Sequence, residues 1–194
     1  MSGRLLFFLL ILYGVFSCKP QNPNKQLNRI SEYYDISGLL EENINELASQ
    51  EAGISKEVSY DGEKETISSS LDSAEWAEEL EYFFSMELNK PQFVGTLDID
   101  TSQNAGSMTI TYTNEQKKEE LKFVELAFKD GEISSIKGKI KSNSFLYKIE
   151  RNMMLDFNSN KLLKEYHVQG TRKLIFGDPK DFSVKGKVQS VLEK

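Results

Sequence analysis

The sequence predicts an α+β protein: two amphipathic helices with a small hairpin between them, then a large curved antiparallel sheet. Three observations carry this. Over residues 35–50 and 72–89, apolar residues recur at spacings of three and four, which places them on one stripe of a helix. From Gln92 onward the pattern changes to alternation, the period of a strand with one face in a core. Short turn-like links separate most of the strand candidates, and pairing of adjacent strands in antiparallel fashion is then the simplest topology. Twelve Phe and eight Tyr against four Pro fit a packed body rather than a disordered chain.

The first residues have a different character. Met1 to Arg4 is short and positive, and Leu5 to Phe16 is apolar throughout. Those residues would form about 18 Å of helix, short of the ~30 Å hydrocarbon core of a bilayer. This is the layout of an export signal. Cys18, the one cysteine of the chain, follows directly, so it has no intramolecular thiol to pair with.

Val15-Phe16-Ser17-Cys18 resembles the lipobox of bacterial lipoproteins. Val15 and Ser17 fit that pattern, and Phe16 is bulkier than is usual at its place. The resemblance covers residues 1–18. It implies that residues 1–17 are a signal peptide, that Cys18 is the lipidation site at its sulfur and new amino group, and that a membrane is the partner through the acyl chains. Each buried CH₂ of such a chain contributes ~0.8 kcal/mol, so three chains hold almost permanently. An uncleaved anchor helix and an ordinary secretory signal with an incidental cysteine are the alternatives. In the same family, an Asp directly after the cysteine retains some lipoproteins in the inner membrane. Here that residue is Lys19, without an acidic patch beyond it, which implies the outer membrane and its periplasmic leaflet.

Residues 18–34 read as an acylated tether, because Pro20, Pro23 and a polar run deny it a core. Residues 35–91 read as a helix-hairpin-helix segment. In the first helix Ile36, Leu39, Leu40, Ile44 and Leu47 form the stripe, and Gly53 stops it. Val58-Ser59-Tyr60 and Glu65-Thr66-Ile67 flank Asp61-Gly62, a pair suited to a type I′ turn. Asp72 with Glu75 makes a capping box for the second helix, and Leu71 can pack on Trp76 as a staple. Trp76, Leu80, Phe83, Phe84 and Leu88 share a face, and Pro91 ends it.

Residues 92–194 read as a sheet of about eight strands: 92–100, 106–113, 121–129, 132–142, 145–157, 162–169, 171–177 and 181–191. In 145–157 the core face is apolar with one polar interruption, Arg151. Phe128–Ser142 matches Phe176–Ser190 at an offset of 48 residues, and each reads as strand, turn, strand. Gly138 and Gly186 sit at equivalent positions on the apolar side, where a bend or a close-packed neighbour is expected. Two four-strand units, 92–142 and 145–191, follow from the repeat, and a curved sheet of that size has closure into a barrel as one outcome.

Charge is uneven. Residues 19–120 carry a net of −13 and residues 121–194 a net of +6. Either the basic half presents a surface to an anionic lipid or partner, or the acidic half lies against the basic half and offsets it.

Catalytic constellations are sparse. His167 is the one histidine, and no set of Cys and His matches a zinc site. Phosphate loops, dinucleotide fingerprints and nucleophile elbows do not occur. The oxygen-rich runs 98–104 and 156–160 lack the Gly and Glu that a calcium loop needs at its sixth and twelfth positions. No cofactor or metal is expected, and the Lys-Gly-Lys pairs lack the aromatic platforms of a nucleic-acid binder.

The reading is a non-enzymatic binding module for an apolar ligand or lipid. A structural lipoprotein of the outer membrane with a protein partner is the first alternative, and a hydrolase using carboxylates the second. The helices and large antiparallel sheet are broadly similar to the half-barrel carriers of the lipoprotein-sorting pathway, an analogy of fold alone. The segment from the Asp35 helix through Asn89-Lys90-Pro91 into the sheet also resembles uncharacterised Gram-negative envelope lipoproteins, which implies the architecture and no activity.

Overall fold

In the computed structural model, which describes residues 32–189, Asp35 opens helix α1 (Ile36–Ser49) by accepting a hydrogen bond from the Gly38 amide at 2.8 Å. The signal peptide, Cys18 and most of the tether lie outside the described residues. The expected stripe of α1 is buried, and Asn43 lies within it. Asn43 ties the helix to the sheet: its amide donates to the Lys161 carbonyl at 3.1 Å and its oxygen accepts from the Leu163 amide at 2.6 Å.

Strands β1 (Gly53–Tyr60) and β2 (Glu63–Ser70) form the expected hairpin. Asp61 and Gly62 take φ values of 53° and 90°, the left-handed pair that a type I′ turn requires. The hairpin is not a separate feature, however. β1 pairs along its whole length with the last strand, β9 (Lys180–Gln189), so the hairpin belongs to the main sheet. Lys56, on the core side of β1 with Val58, breaks the apolar alternation that would mark a strand of the main sheet.

Helix α2 (Ser73–Leu80) begins with the expected capping box: Asp72 accepts from the Glu75 amide at 2.9 Å, and Glu75 accepts from the Asp72 amide at 2.8 Å. The expected helix to Asn89 is shorter than that. Glu81–Met86 is a 3-10 helix. With three residues per turn, Leu80, Phe83 and Met86 stack on one side, and all three are buried.

The remaining strands are β3 (Asp98–Asn104), β4 (Ser107–Thr113), β5 (Leu121–Lys129), β6 (Glu132–Asn143), β7 (Tyr147–Phe157) and β8 (Leu163–Leu174). All nine form one antiparallel sheet in the order β2-β1-β9-β8-β7-β6-β5-β4-β3. The sheet is open, with β2 and β3 at its edges, so it does not close into a barrel.

Three expectations need correction. Residues 92–96 are turns rather than strand; the Tyr33 hydroxyl donates to the Phe93 carbonyl at 3.1 Å and accepts from the Gly95 amide at 3.0 Å, holding them there. Residues 162–169 and 171–177 are one strand, because Gly170 marks a close approach to the Glu150 carbonyl and the Phe182 ring rather than a break. The two units are unequal: 92–142 supplies four strands and 145–191 three, and β1 takes the fourth place beside β9.

Both helices lie on one face of the sheet. The core runs from Ile36, Leu40 and Leu47 of α1 and Trp76 and Leu80 of α2 to Val124, Leu126, Ile136 and Leu155 of the sheet. Each such side chain stabilises the fold by about 1.5–3 kcal/mol on burial. The other face carries Lys137, Lys139, Lys141 and their cross-strand neighbours, and among the described residues no helix lies over it.

Candidate functional site: an apolar cleft between the second helix and the sheet

α2 and its 3-10 continuation cross the covered face from β1 toward β6 without covering its full height. Glu79 stands over Lys56 and Tyr166, Tyr82 over Arg151, and Met86 over Gly138. Beyond this line, toward the β8–β9 turn, Ile149 and Phe182 are only half-buried. The space between helix and sheet is a half-open cleft of about 660 Å³. That lies within the ~300–1,000 Å³ of small-molecule sites.

Its floor is apolar. Val58 of β1, Val184 and Phe182 of β9, Val168 of β8 and Ile149 of β7 point into it, from successive strands of the sheet. The register explains the continuous surface. Val58 pairs with Val184, which pairs with Val168, so three β-branched side chains stand in one row.

A polar cluster closes the inner end. Lys56, Gly186 and Tyr166 lie side by side across β1, β9 and β8. Because Gly186 has no side chain, Tyr166 leans over it; a Cβ there would lie 2.2 Å from a ring carbon. The Tyr166 hydroxyl donates to Glu79 Oε1, and Lys56 Nζ donates to Glu79 Oε2 at 2.7 Å. Burial and the Glu79 carboxylate together push the Tyr166 hydroxyl far above its ordinary pKa, so it remains a donor. The Phe83 ring meets Tyr166 edge-on with centroids 5.4 Å apart. This cluster joins helix to sheet and fixes the roof height.

Two further cations line the cleft. The Arg151 guanidinium lies under the Tyr82 ring at 5.3 Å from its centroid, and its buried Nε has no hydrogen-bond partner among the described residues. Arg172 stands at the outer end, one cross-strand pair from Ile149. Glu75 is held by the capping box, and Glu79 is satisfied by Lys56 and Tyr166. The arrangement offers an apolar trough with, in its wall, a guanidinium whose buried Nε meets no described partner.

Sequence reasoning missed this site. The signal for Arg151 was the polar interruption on the core face of β7, and that for Lys56 was a lysine on the core side of β1. Neither shows its partner without the topology that brings residues 56, 79, 151 and 166 together. The glycine expectation fared better: Gly138 and Gly186 both make room for a side chain, Met86 and Tyr166.

His167 lies on the uncovered face, with Nε2 2.9 Å from Ser183 Oγ. Asn158 closes its own turn by accepting from the Asn160 and Leu162 amides at 2.9 and 3.1 Å. Among the described residues, no three His, Cys, Asp or Glu side chains converge on a metal-sized point. The lysines of the uncovered face pair largely within their own half, Lys137 with Glu125 at 2.9 Å and Lys139 and Lys141 with Glu150 at 2.5 and 3.0 Å. Lys180 with Asp61 at 2.6 Å bridges the acidic and basic halves.

No family model, no curated protein and no solved structure matches this chain.

Proposed function

We propose that the protein is a lipid-anchored envelope protein, tethered through Cys18 to the outer membrane, which holds an amphiphilic lipid or fatty acid in the cleft as a binding module rather than an enzyme. The observation that carries the reading is the row Val58-Val184-Val168 with Phe182 and Ile149 on the floor of a half-open cleft of about 660 Å³. An acyl chain removes that floor from water, at about 25 cal/mol per Å² of apolar surface. Arg151, with its unpartnered Nε, supplies a place for an anionic head. Lys56, Glu79 and Tyr166 satisfy one another and define the inner wall.

The test is titration of the delipidated full chain with cis-parinaric acid, followed by its fluorescence gain. Saturable binding is expected, and Val168→Glu, which puts a charge on the floor, abolishes it. Absence of saturable binding, or equal binding by the variant, sinks the reading. The anchor is tested separately by the intact mass of the mature protein and its membrane fractionation beside Cys18→Ala. A mass starting at Cys18 plus acyl chains, lost in the variant, is the expected outcome.

A further inference from the structure

The end of the sheet toward which the cleft opens is apolar and exposed. Phe145 and Leu146 form the β6–β7 turn, and Leu174, Ile175 and Phe176 lead out of β8. Phe145 and Phe176 are each 86% exposed and Leu146 is 61% exposed, although water disfavours such surface when it is contiguous. The two turns form one tip. Tyr147 pairs with Leu174, the Ile175 amide donates to the Leu146 carbonyl at 2.9 Å, and Ser144 Oγ accepts from the Leu146 and Tyr147 amides at 3.2 and 3.1 Å. The apolar side chains are therefore held outward on ordered backbone.

Behind the tip the charge is positive. Lys148 and Lys173 face each other directly across β7 and β8, a like-charge pair that destabilises a sheet. Both are exposed, and neither has an ion pair among the described residues. Arg172 is next along β8. The nearby carboxylates are mostly engaged: Glu150 by Lys139 and Lys141, Asp181 by the Thr171 hydroxyl, Asp61 by Lys180. Asp178 in the β8–β9 link and Glu63, which acts on Lys180, are further acids of this end.

We propose that this tip, Phe145-Leu146 with Leu174-Ile175-Phe176, docks into the interface of an anionic bilayer, with Lys148 and Lys173 against the headgroups. Charge complementarity selects that occupant. Aromatic and aliphatic side chains ahead of a lysine pair match the boundary between acyl chains and anionic headgroups, and the paired like charges find there the counter-charge the protein withholds. Ile149, on the cleft floor, is four residues from Phe145 in the turn before β7, at most about 13 Å at ~3.3 Å per residue. Docking therefore brings the cleft mouth to the headgroup level.

The test uses the full chain in vesicles of phosphatidylcholine doped with phosphatidylglycerol, with bromine on the acyl chains as a contact quencher. Phe145→Trp and Phe176→Trp place a reporter at exposed positions that the fold does not need, and Trp76 is fully buried, out of reach of the bromine. Gln103→Trp, at the opposite end of the sheet, is the control. Tip tryptophans are expected to shift to the blue and be quenched, and the control is not. Lys148→Ala and Lys173→Ala each cut the docked-to-undocked ratio by about fivefold. Tip quenching no greater than the control overturns the proposal, as does equal quenching in phosphatidylcholine alone. Shielding of the tip without quenching, with two chains cross-linked through it, also overturns it and assigns the patch to a second copy. The readout does not depend on what the cleft holds.

Discussion

Tyr166 and Gly186 face each other across β8 and β9, and the ring of Tyr166 fills the space a side chain at Gly186 would need. That vacancy sets the height of the roof, because it lets the Tyr166 hydroxyl reach Glu79 on α2. Gly186→Ala forces the ring aside. We expect a loss of about 1–3 kcal/mol, the range for overpacking a filled interior, read as a fall in the urea midpoint. Gly186→Ala combined with Tyr166→Leu recovers part of that loss. An unchanged midpoint in the single variant would show that the ring has another position to occupy.

Glu79 accepts from both Tyr166 and Lys56, and its side chain is 13% exposed. Glu79→Gln leaves the half-buried Lys56 ammonium without its counter-charge. Loss of a charge-assisted hydrogen bond at such depth costs about 1.5–3 kcal/mol. Replacing both partners is milder than replacing one, since an apolar pair carries no unmet charge; Lys56→Met with Glu79→Leu is expected to be more stable than Glu79→Gln alone. A pair variant less stable than Glu79→Gln would mean that the ion pair itself, and not the unmet charge, sets the loss.

Where the fold was legible in the sequence, a local rule and the global topology agreed. Asp35 and Asp72 cap helices where they stand, Asp61-Gly62 turns where its φ values must be positive, and the strands from β4 to β7 follow their alternation. Misreadings arose where a residue served a distant partner. Lys56 interrupts an apolar face for the sake of Glu79, 23 residues away. Gly170 resembles a strand end but makes room for Phe182. Phe93 looks like strand, but Tyr33, 60 residues earlier, holds it in a turn. The cleft was illegible for the same reason: its floor takes one or two residues from each of several strands, and its existence depends on where a short helix stops covering them.

Asp156 pairs across β7–β8 with Glu165, so two carboxylates stand opposite each other on the uncovered face. Burial first, and then Glu165, raise the Asp156 pKa. The sign follows from the raised value. The folded state holds the proton more tightly than the unfolded chain, so the stabilisation is fully present below the unfolded pKa of ~3.9 and is lost as pH rises through the folded pKa. At neutral pH Asp156→Asn removes the like-charge contact and is expected to stabilise by about 0.5 kcal/mol. Below the unfolded pKa the two proteins should melt together. Urea titrations at neutral and acid pH decide this, and a variant less stable than the parent at neutral pH would refute it.

Arg151 offers the sharpest test of what the cleft takes. It is the one charged residue on the core face of β7, under Tyr82, with a buried Nε that no described residue satisfies. An unmet donor at such depth is costly, and an anionic head beside it would meet that need with a charge-assisted hydrogen bond. Arg151→Met keeps the length and apolar packing of the side chain and removes its charge. Affinity for cis-parinaric acid is expected to fall by about 10- to 100-fold, the equivalent of about 1.5–3 kcal/mol, while affinity for its uncharged methyl ester stays the same. The difference between the two probes isolates the head from the chain. If acid and ester weaken alike, Arg151 supports the wall of the cleft and recognises no charge; if neither weakens, the head lies elsewhere, with Arg172 at the outer end the next residue to replace.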